Sequence, residues 1–258
     1  MVSVALPKYT FCRANPSLLR DISLNRVTLR HYLVRKKHVM NQEIIFVSGI
    51  DTGIGKTAST GYLAALLHRE GVKVTTSKPV ETGMHGISED LATHDRLAPF
   101  LKEDSAAQPF RNSYLFTYPA SPHLAAEMDG KCIDPERLRS DVAHLLAMGY
   151  EKVLMEGAGG LMVPLRKNLL TIDFVAQSGY GMAFVTCGRL GSLNHTLLSL
   201  EAMDRRGIPL RYLLYNAYPR EEKPIDDESR AYLKELLATR YPDARWVDVP
   251  LLAEATPR

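Results

Sequence analysis

The loop at residues 49–57, which reads G-I-D-T-G-I-G-K-T, holds the residue types in this sequence that are best suited to chemistry. It follows the apolar run at residues 44–47, which predicts a buried strand, and a helix is expected to begin at its Lys-Thr end. Backbone N–H groups of such a loop can wrap a polyphosphate, the Lys56 ammonium can neutralise terminal phosphates, and the Thr57 hydroxyl can hold Mg2+. The positive dipole end of the helix adds to the same anion site.

The spacing within this loop differs slightly from the commonest phosphate-binding pattern. Five residues separate Gly49 from Gly55, one more than in that pattern. A chance glycine-rich turn is the alternative interpretation, but strand, glycines, Lys-Thr and helix follow one another in the required order. The sequence therefore predicts a variant P-loop that binds a nucleoside triphosphate.

Two charged residues follow other apolar runs. Glu156 ends the run at residues 153–155, where P-loop proteins place an acidic residue that serves Mg2+. Lys78 ends a second run and could stabilise another anion, such as the acceptor of a transferred phosphoryl group. A solvated strand-end carboxylate and an ordinary surface lysine are the alternative interpretations.

The segment Thr-His-Asp at residues 93–95 offers a second acidic contact for Mg2+. Asp95 is the predicted ligand, and Asp90 is the competing one. His94 is not expected to be a ligand, because Mg2+ prefers oxygen and a lone histidine is more often a core or surface residue.

Strands and helices alternate from residue 43 onward. The predicted strands cover residues 44–48, 72–77, 152–155, 182–186, 210–215 and 245–249, and the predicted helices cover residues 56–70, 90–101, 136–148, 171–178, 194–206 and 226–240. Residues 104–122 are expected to form an irregular loop on the substrate side. Near-continuous apolar strands separated by helices predict an α/β fold, a single doubly wound, mostly parallel sheet with helices on both faces. In such a sheet ligands bind at the carboxyl ends of the strands, where the loop, Lys78 and Glu156 all fall.

The charge of the chain is concentrated in its first 40 residues. They carry eight Lys or Arg against Asp21 alone, a balance of +7, so the other 218 residues sum to −4 in a chain of net charge +3. The main domain, expected at residues 41–258, therefore gives no argument for a nucleic-acid surface. Residues 1–40 are expected to be a basic extension that is poorly ordered or absent from the mature protein, either because translation starts at Met40 or because the segment is a transit leader.

Composition indicates a cytoplasmic protein that does not enter a membrane. No apolar run approaches the roughly 18 residues of a membrane span. The three cysteines, Cys12, Cys132 and Cys187, are far apart and lack the spacing of a disulfide framework or a zinc site.

Six blocks of sequence together resemble one known family. They are G-I-D-T-G-I-G-K-T at 49–57, K-P-V-E-T-G at 78–83, P-A-S-P-H-L-A-A at 119–126, E-G-A-G-G at 156–160, G-R-L-G-S-L-N-H-T at 188–196 and V-P-L-L-A-E at 249–254. In their order and spacing they resemble the dethiobiotin synthetases. The resemblance implies an ATP- and Mg2+-dependent carboxylation of 7,8-diaminononanoate by CO2, with closure of a cyclic urea through a carbamate and a carbamic-phosphoric anhydride.

The resemblance also implies site residues. The catalytic residues would be Lys78, Lys56 and Thr52; the Mg2+ ligands would be Thr57, Asp95 and Glu156; and the substrate would contact Thr82 and, across a homodimer interface, Asn194. The ATP site would comprise Gly53, Ile54, Gly55, Lys56, Thr57, Ala58, Asp95, Glu156, Gly157, Ala158, Gly159, Asn216, Ala217, Val247, Asp248, Val249 and Glu254. Asn216-Ala217 departs from the Asn-Asp that is frequent in the family, which puts one contact with the base in doubt.

A regulatory P-loop ATPase of the partitioning or division-site type is the main rival function. Such proteins typically place a signature lysine near the start of the loop, where this chain has Asp51. An amidotransferase-type synthase and a non-catalytic relative are further alternatives. Intact Lys56, Thr57, Lys78 and Glu156 argue against the non-catalytic one.

Overall fold

The computed structural model describes residues 42–251, so the expectation for residues 1–40 lies outside the described residues. A six-stranded sheet forms its centre. In spatial order the strands are β10 (Arg245–Val249), β9 (Leu210–Asn216), β8 (Gly181–Cys187), β1 (Glu43–Gly49), β5 (Lys152–Glu156) and β2 (Val74–Ser77). Every neighbouring pair in this sheet is parallel. The predicted doubly wound α/β architecture is confirmed.

The central strands are buried on both faces. β8 is buried at all seven positions, and the last five residues of β1 are buried as well. Successive side chains of a strand point to opposite faces, so helices must cover both sides of the sheet. The helices are α1 (Lys56–Arg69), α2 (Glu89–Leu97), α3 (Gln108–Arg111), α4 (Pro122–Met128), α5 (Pro135–Ala147), α6 (Thr171–Ser178), α7 (Ser192–Asp204) and α8 (Lys223–Arg240).

Helix α2 ends earlier than the sequence predicted. A helix was expected over residues 90–101, but α2 stops at Leu97 and a separate 3-10 turn covers Pro99–Lys102. Proline lacks an N–H and disfavours helical geometry at the residue before it, and Ala98 accordingly has φ −136° and ψ 77°. Ser88 caps the start of α2, where its side chain accepts the Leu91 N–H at 3.0 Å.

Two small sheets were not predicted. β3 (Val80–Thr82) pairs in parallel with β4 (Tyr114–Phe116), so the expected irregular loop at 104–122 contains both a strand and the short helix α3. β6 (Pro164–Arg166) pairs antiparallel with β7 (Leu169–Leu170). Strands of two or three residues are too short to show the alternation by which strands are recognised.

The strand order decides which residues can meet. β5 lies between β1 and β2, with Val47 opposite Glu156 in one pair and Ser77 opposite Met155 in the other. The carboxyl ends of these three strands carry the glycine-rich loop, Glu156 and Lys78 respectively. Parallel strands end at the same edge, so Glu156 stands between the loop and the lysine.

Among residues 42–251, no helix combines the length and apolar character that crossing a bilayer requires.

Candidate active site

The glycine-rich loop adopts a backbone that glycine favours. Gly53 and Gly55 have φ of 74° and 86°, in the left-handed region. A Cβ on Gly55 would collide with the Asn216 side chain, whose Nδ2 donates to the Ile54 carbonyl at 2.7 Å. Asn216, predicted to border the base, therefore braces the loop from the end of β9.

Lys56 opens α1 and points back into the loop. Its Nζ donates to the Asp51 carbonyl at 2.7 Å, and only 7% of the residue is exposed. Burial lowers the pKa of Lys56 to about 8, since the nearby charge of Glu156 offsets only part of the loss of solvent. A phosphate group in the loop would raise this pKa again, because its negative charge stabilises the ammonium.

Four side chains from four different segments of the chain converge beside the loop. The Thr57 hydroxyl oxygen lies 2.8 Å from Asp90 Oδ1 and 3.0 Å from Glu156 Oε1. Lys78 Nζ lies 2.6 Å from Asp90 Oδ2 and 2.9 Å from Glu156 Oε1, and it donates to the Gly157 carbonyl at 3.1 Å. The three N–H donors of Lys78 are thus all engaged, so any substrate oxygen must displace one of these partners.

The ion pairs keep both Lys78 and Glu156 charged. Burial by itself would lower the pKa of Lys78, but the charges of Glu156 and Asp90 outweigh it and raise that pKa above its ordinary value. Burial would likewise raise the pKa of Glu156, and the lysine charge together with a His94 hydrogen bond holds it well below the usual range.

The structure places Asp90, not Asp95, in this cluster. Asp95 Oδ1 accepts a hydrogen bond of 2.8 Å from buried Arg111, on another side of α2. At 3.6 residues per turn, residues five apart are separated by about 140° around a helix, so the two aspartates cannot share a face. The placement of Asp95 beside Thr57 was therefore wrong, and the competing Asp90 occupies that position.

Two residues that the sequence analysis did not assign to the site also belong to this region. Glu81 Oε1 accepts the Asp90 N–H at 3.0 Å, and burial raises the pKa of Glu81. His94 Nε2 lies 2.7 Å from Glu156 Oε2. His94 is four residues after Asp90, the spacing that puts two side chains on one helix face, and this signal was available in the sequence.

An open cavity of about 650 Å³ brings most of the predicted site residues together. The predicted residues that line it are Thr52, Gly53, Gly55, Lys56, Thr57, Ala58, Lys78, Thr82, Glu156, Ala158 and Gly159. Asp90 and Glu81 line it as well. Both lysines, Lys56 of the loop and Lys78 of the cluster, therefore face the same cavity.

Other predicted residues lie away from this cavity. The Ala217 N–H donates to the Val249 carbonyl at 3.0 Å, at the end of the outermost strands β9 and β10. Asp248 is largely exposed and ion-paired with Arg230, and Val247 is buried in β10. Glu254 lies outside the described residues.

A second cavity of about 510 Å³ adjoins the first through Thr52, which lines both. Its walls include His195 and the exposed apolar side chains Met162 and Leu198. Asn194, the predicted partner of a substrate carboxylate, is exposed beside it in the first turn of α7.

Comparison with known proteins points to one family. The AAA_26 family model, an AAA domain, matches residues 43–251. The ATP-dependent dethiobiotin synthetase BioD of Chlorobaculum tepidum is 44% identical over 205 residues, covering 80% of this chain and 85% of that protein. The ATP-dependent dethiobiotin synthetase BioD 2 of Pasteurella multocida is 37% identical over 211 residues, covering 82% of this chain and 99% of that protein.

A solved structure of a ParA family ATPase from Chlorobium tepidum TLS aligns over 75% of this chain and 81% of that chain. The identity of 17% and the TM-score of 0.46 make this a remote likeness. Each of the two synthetase alignments spans about four fifths of the chain. As the six motif blocks predicted, the chain belongs to the ATP-dependent dethiobiotin synthetase family.

Proposed function

We propose that the chain converts 7,8-diaminononanoate, CO2 and ATP into dethiobiotin, ADP and phosphate. The observation that carries this proposal is the position of Lys78. Its ammonium is buried between Asp90 and Glu156 at 2.6 and 2.9 Å, in the same cavity as the phosphate loop. A cation fixed next to the loop, but not part of it, suits the anion that receives a phosphoryl group.

A magnesium ion fits the residues beside the loop. Mg2+ prefers oxygen ligands and usually combines one or two carboxylates with water and substrate phosphates. Thr57 Oγ1, Asp90 Oδ1 and Glu156 Oε1 supply such a set, since the hydroxyl lies within 3.0 Å of both carboxylate oxygens. When bound there, Mg2+ would neutralise charge on the ATP phosphates.

The triphosphate is assigned to the loop. Backbone N–H groups of Gly53, Gly55 and Lys56, with the dipole of α1, would surround its phosphates. The adenosine would extend toward Asn216, Ala217 and the end of β10. Position 51, where the rival ATPase class typically has a lysine, is an aspartate that forms an ion pair of 3.5 Å with Arg189.

The acceptor is assigned to the part of the cavity near Thr52, Lys78 and Thr82. An amine of the diamine attacks CO2, a C–N bond forms, and loss of a proton leaves a carbamate. A carbamate oxygen then attacks the γ-phosphorus of ATP, and ADP leaves. The second amine attacks the carbonyl carbon, phosphate leaves, and the urea ring closes. Lys78 stabilises the carbamate and the charge that develops on its oxygen.

A homodimer is part of the proposal. The second cavity adjoins Thr52 and is bordered by Met162 and Leu198, which are 55% and 59% exposed. We infer that these two side chains contribute to an interface between two copies of the chain. Asn194, exposed on the same helix as Leu198, would then face a substrate carboxylate bound between two copies.

A cytoplasmic location is also proposed. Within residues 42–251 the cysteines are free, with Cys132 exposed and Cys187 buried, as expected of thiols kept in a reducing compartment.

The dependence of phosphate release on the diamine tests this function. The full chain is assayed with ATP, Mg2+ and bicarbonate, with and without 7,8-diaminononanoate. We expect phosphate release to require the diamine. Equal hydrolysis in its absence would favour the regulatory ATPase instead.

A further inference from the structure

A row of buried side chains extends from Glu156 into the space between α2 and the sheet. His94 is fully buried, and its Nε2 lies 2.7 Å from Glu156 Oε2. Its other ring nitrogen, Nδ1, lies 3.1 Å from the Thr76 hydroxyl in β2. Arg111, also fully buried, donates from Nη2 to that hydroxyl at 2.8 Å and to Asp95 Oδ1 at 2.8 Å.

The chemistry of these groups determines which one donates and which one accepts in each hydrogen bond. A guanidinium only donates, so the Thr76 oxygen accepts from Arg111 and keeps its own proton to give. An ionised carboxylate only accepts, so His94 Nε2 carries a proton toward Glu156. Nδ1 is left as the acceptor of the Thr76 proton. Each group in the chain Arg111, Thr76, His94 and Glu156 is then satisfied.

We propose that His94 is a positioning residue that holds the Glu156 carboxylate through Oε2 and so presents Oε1 to the reacting phosphates. Oε1 is the oxygen that lies 3.0 Å from Thr57 and 2.9 Å from Lys78. With Oε2 engaged by the imidazole, the carboxylate cannot rotate to offer both oxygens to one cation. The Arg111 and Thr76 side chains in turn select the tautomer of His94 that can donate to Glu156.

The packing of α2 explains why the imidazole is held so closely. A Cβ on Gly61 of α1 would lie 3.3 Å from the His94 Cα and 3.0 Å from the Leu97 side chain. Glycine at this position lets the two helices approach, and the approach brings His94 against β2 and β5.

This inference rests on the proposed role of Glu156 in serving Mg2+, and two measurements separate the two ideas. The first uses the full chain without metal or nucleotide. 15N NMR of protein labelled at histidine should show His94 with a protonated Nε2 and an unprotonated Nδ1. In the variant Thr76→Val, Nε2 should stay protonated toward Glu156, and the Nδ1 resonance should shift because its hydrogen bond from Thr76 is lost. A His94 that is protonated on Nδ1 in the parent protein would overturn the inference.

The second measurement is the Mg2+ concentration that gives half-maximal diamine-dependent phosphate release. Outer partners of a metal-binding carboxylate are typically worth about 10- to 100-fold in metal affinity. We expect an increase of that size in His94→Leu, with partial rescue in His94→Gln, which keeps an N–H donor. His144→Leu is the matched control, because His144 is exposed on α5, outside both cavities.

The outcomes are distinguishable. An unchanged Mg2+ requirement in folded His94→Leu, with an active parent protein, would overturn the positioning role alone. A parent protein without diamine-dependent release would overturn the proposed function, and the NMR measurement would still report on the hydrogen-bond chain. Circular dichroism establishes that each variant is folded before it is assayed.

Discussion

Thr57 and Asp90 are joined by a hydrogen-bond contact of 2.8 Å between the Thr57 hydroxyl and Asp90 Oδ1. Thr57 is the second residue of α1, and Asp90 is the second residue of α2. The contact therefore brings the amino-terminal ends of two helices to one point. Oxygen ligands and two positive helix ends then surround the position where phosphate and Mg2+ are proposed to bind.

Exchange of the two aspartates for asparagine should have different effects. Asp90→Asn removes a carboxylate beside Thr57, and we expect the Mg2+ concentration for half-maximal turnover to rise by about 10- to 100-fold. Asp95→Asn leaves buried Arg111 without its ion partner, and we expect the free energy of unfolding in urea to fall by about 2 kcal/mol. The Mg2+ requirement of Asp95→Asn should stay close to that of the parent. The reverse pattern would restore the original prediction of Asp95 as the ligand.

Lys78→Gln should separate turnover from nucleotide binding. Because Lys78 faces the acceptor, we expect kcat to fall by about 100- to 1,000-fold. The Kd for ADP, measured by calorimetry, should change little. Lys167→Gln is the control, since Lys167 is an exposed lysine paired with Glu127. Loss of ADP binding with unchanged kcat would contradict the role given to Lys78.

The pKa of Lys56 predicts how nucleotide affinity depends on pH. Burial lowers this pKa to about 8 in the free protein, so the ammonium is lost as pH rises through that value. We expect ADP to bind progressively more weakly above pH 8, because neutral Lys56 attracts phosphate less. In Lys56→Arg the decline should be absent, since arginine stays charged. A decline of equal size in both proteins would assign it to another group.

The lowered pKa of Lys56 also predicts how the stability of the protein depends on pH. A lysine whose pKa is lower in the folded state than the ordinary 10.5 disfavours folding while both states are protonated. The penalty is full below pH 8 and is relieved as pH rises toward 10.5. Lys56→Met should therefore raise the free energy of unfolding at pH 7 by up to about 3 kcal/mol. The gain should shrink between pH 8 and 10.5, and urea titrations at several pH values measure it.

Gly55→Ala should lower the stability of the protein by more than the strain of its backbone angle alone explains. Gly55 and Gly71 have similar φ values of 86° and 83°, but a Cβ on Gly71 meets no atom within 4 Å. Each substitution should cost about 1–3 kcal/mol of backbone strain. Gly55→Ala should cost more than Gly71→Ala, because the added methyl displaces Asn216 from the Ile54 carbonyl. If the two variants lost equal amounts of stability in thermal unfolding, the bracing role of Asn216 would be contradicted.

The sequence predicted the features that depend on local patterns. The loop, the charged residues that follow strands, and the order of long helices and strands are all readable from residues near one another in the chain. The choice between Asp90 and Asp95 could not be predicted in this way, because it depends on which face of α2 is turned toward the sheet. The ion pair of Lys78 with Glu156 joins residues 78 positions apart and depends on β5 lying beside β2. His94 was interpreted only as a core or surface residue, because its contact with Glu156 depends on how α2 packs against the sheet.

Incorporation of labelled carbon tests the central claim most directly. The full chain is incubated with ATP, Mg2+, 13C-bicarbonate and 7,8-diaminononanoate, and the product is analysed by mass spectrometry. The proposed reaction predicts a cyclic urea that carries one 13C atom and is formed in a one-to-one ratio with phosphate. Phosphate release without a labelled urea would contradict the account and indicate an ATPase that lacks the synthetase reaction.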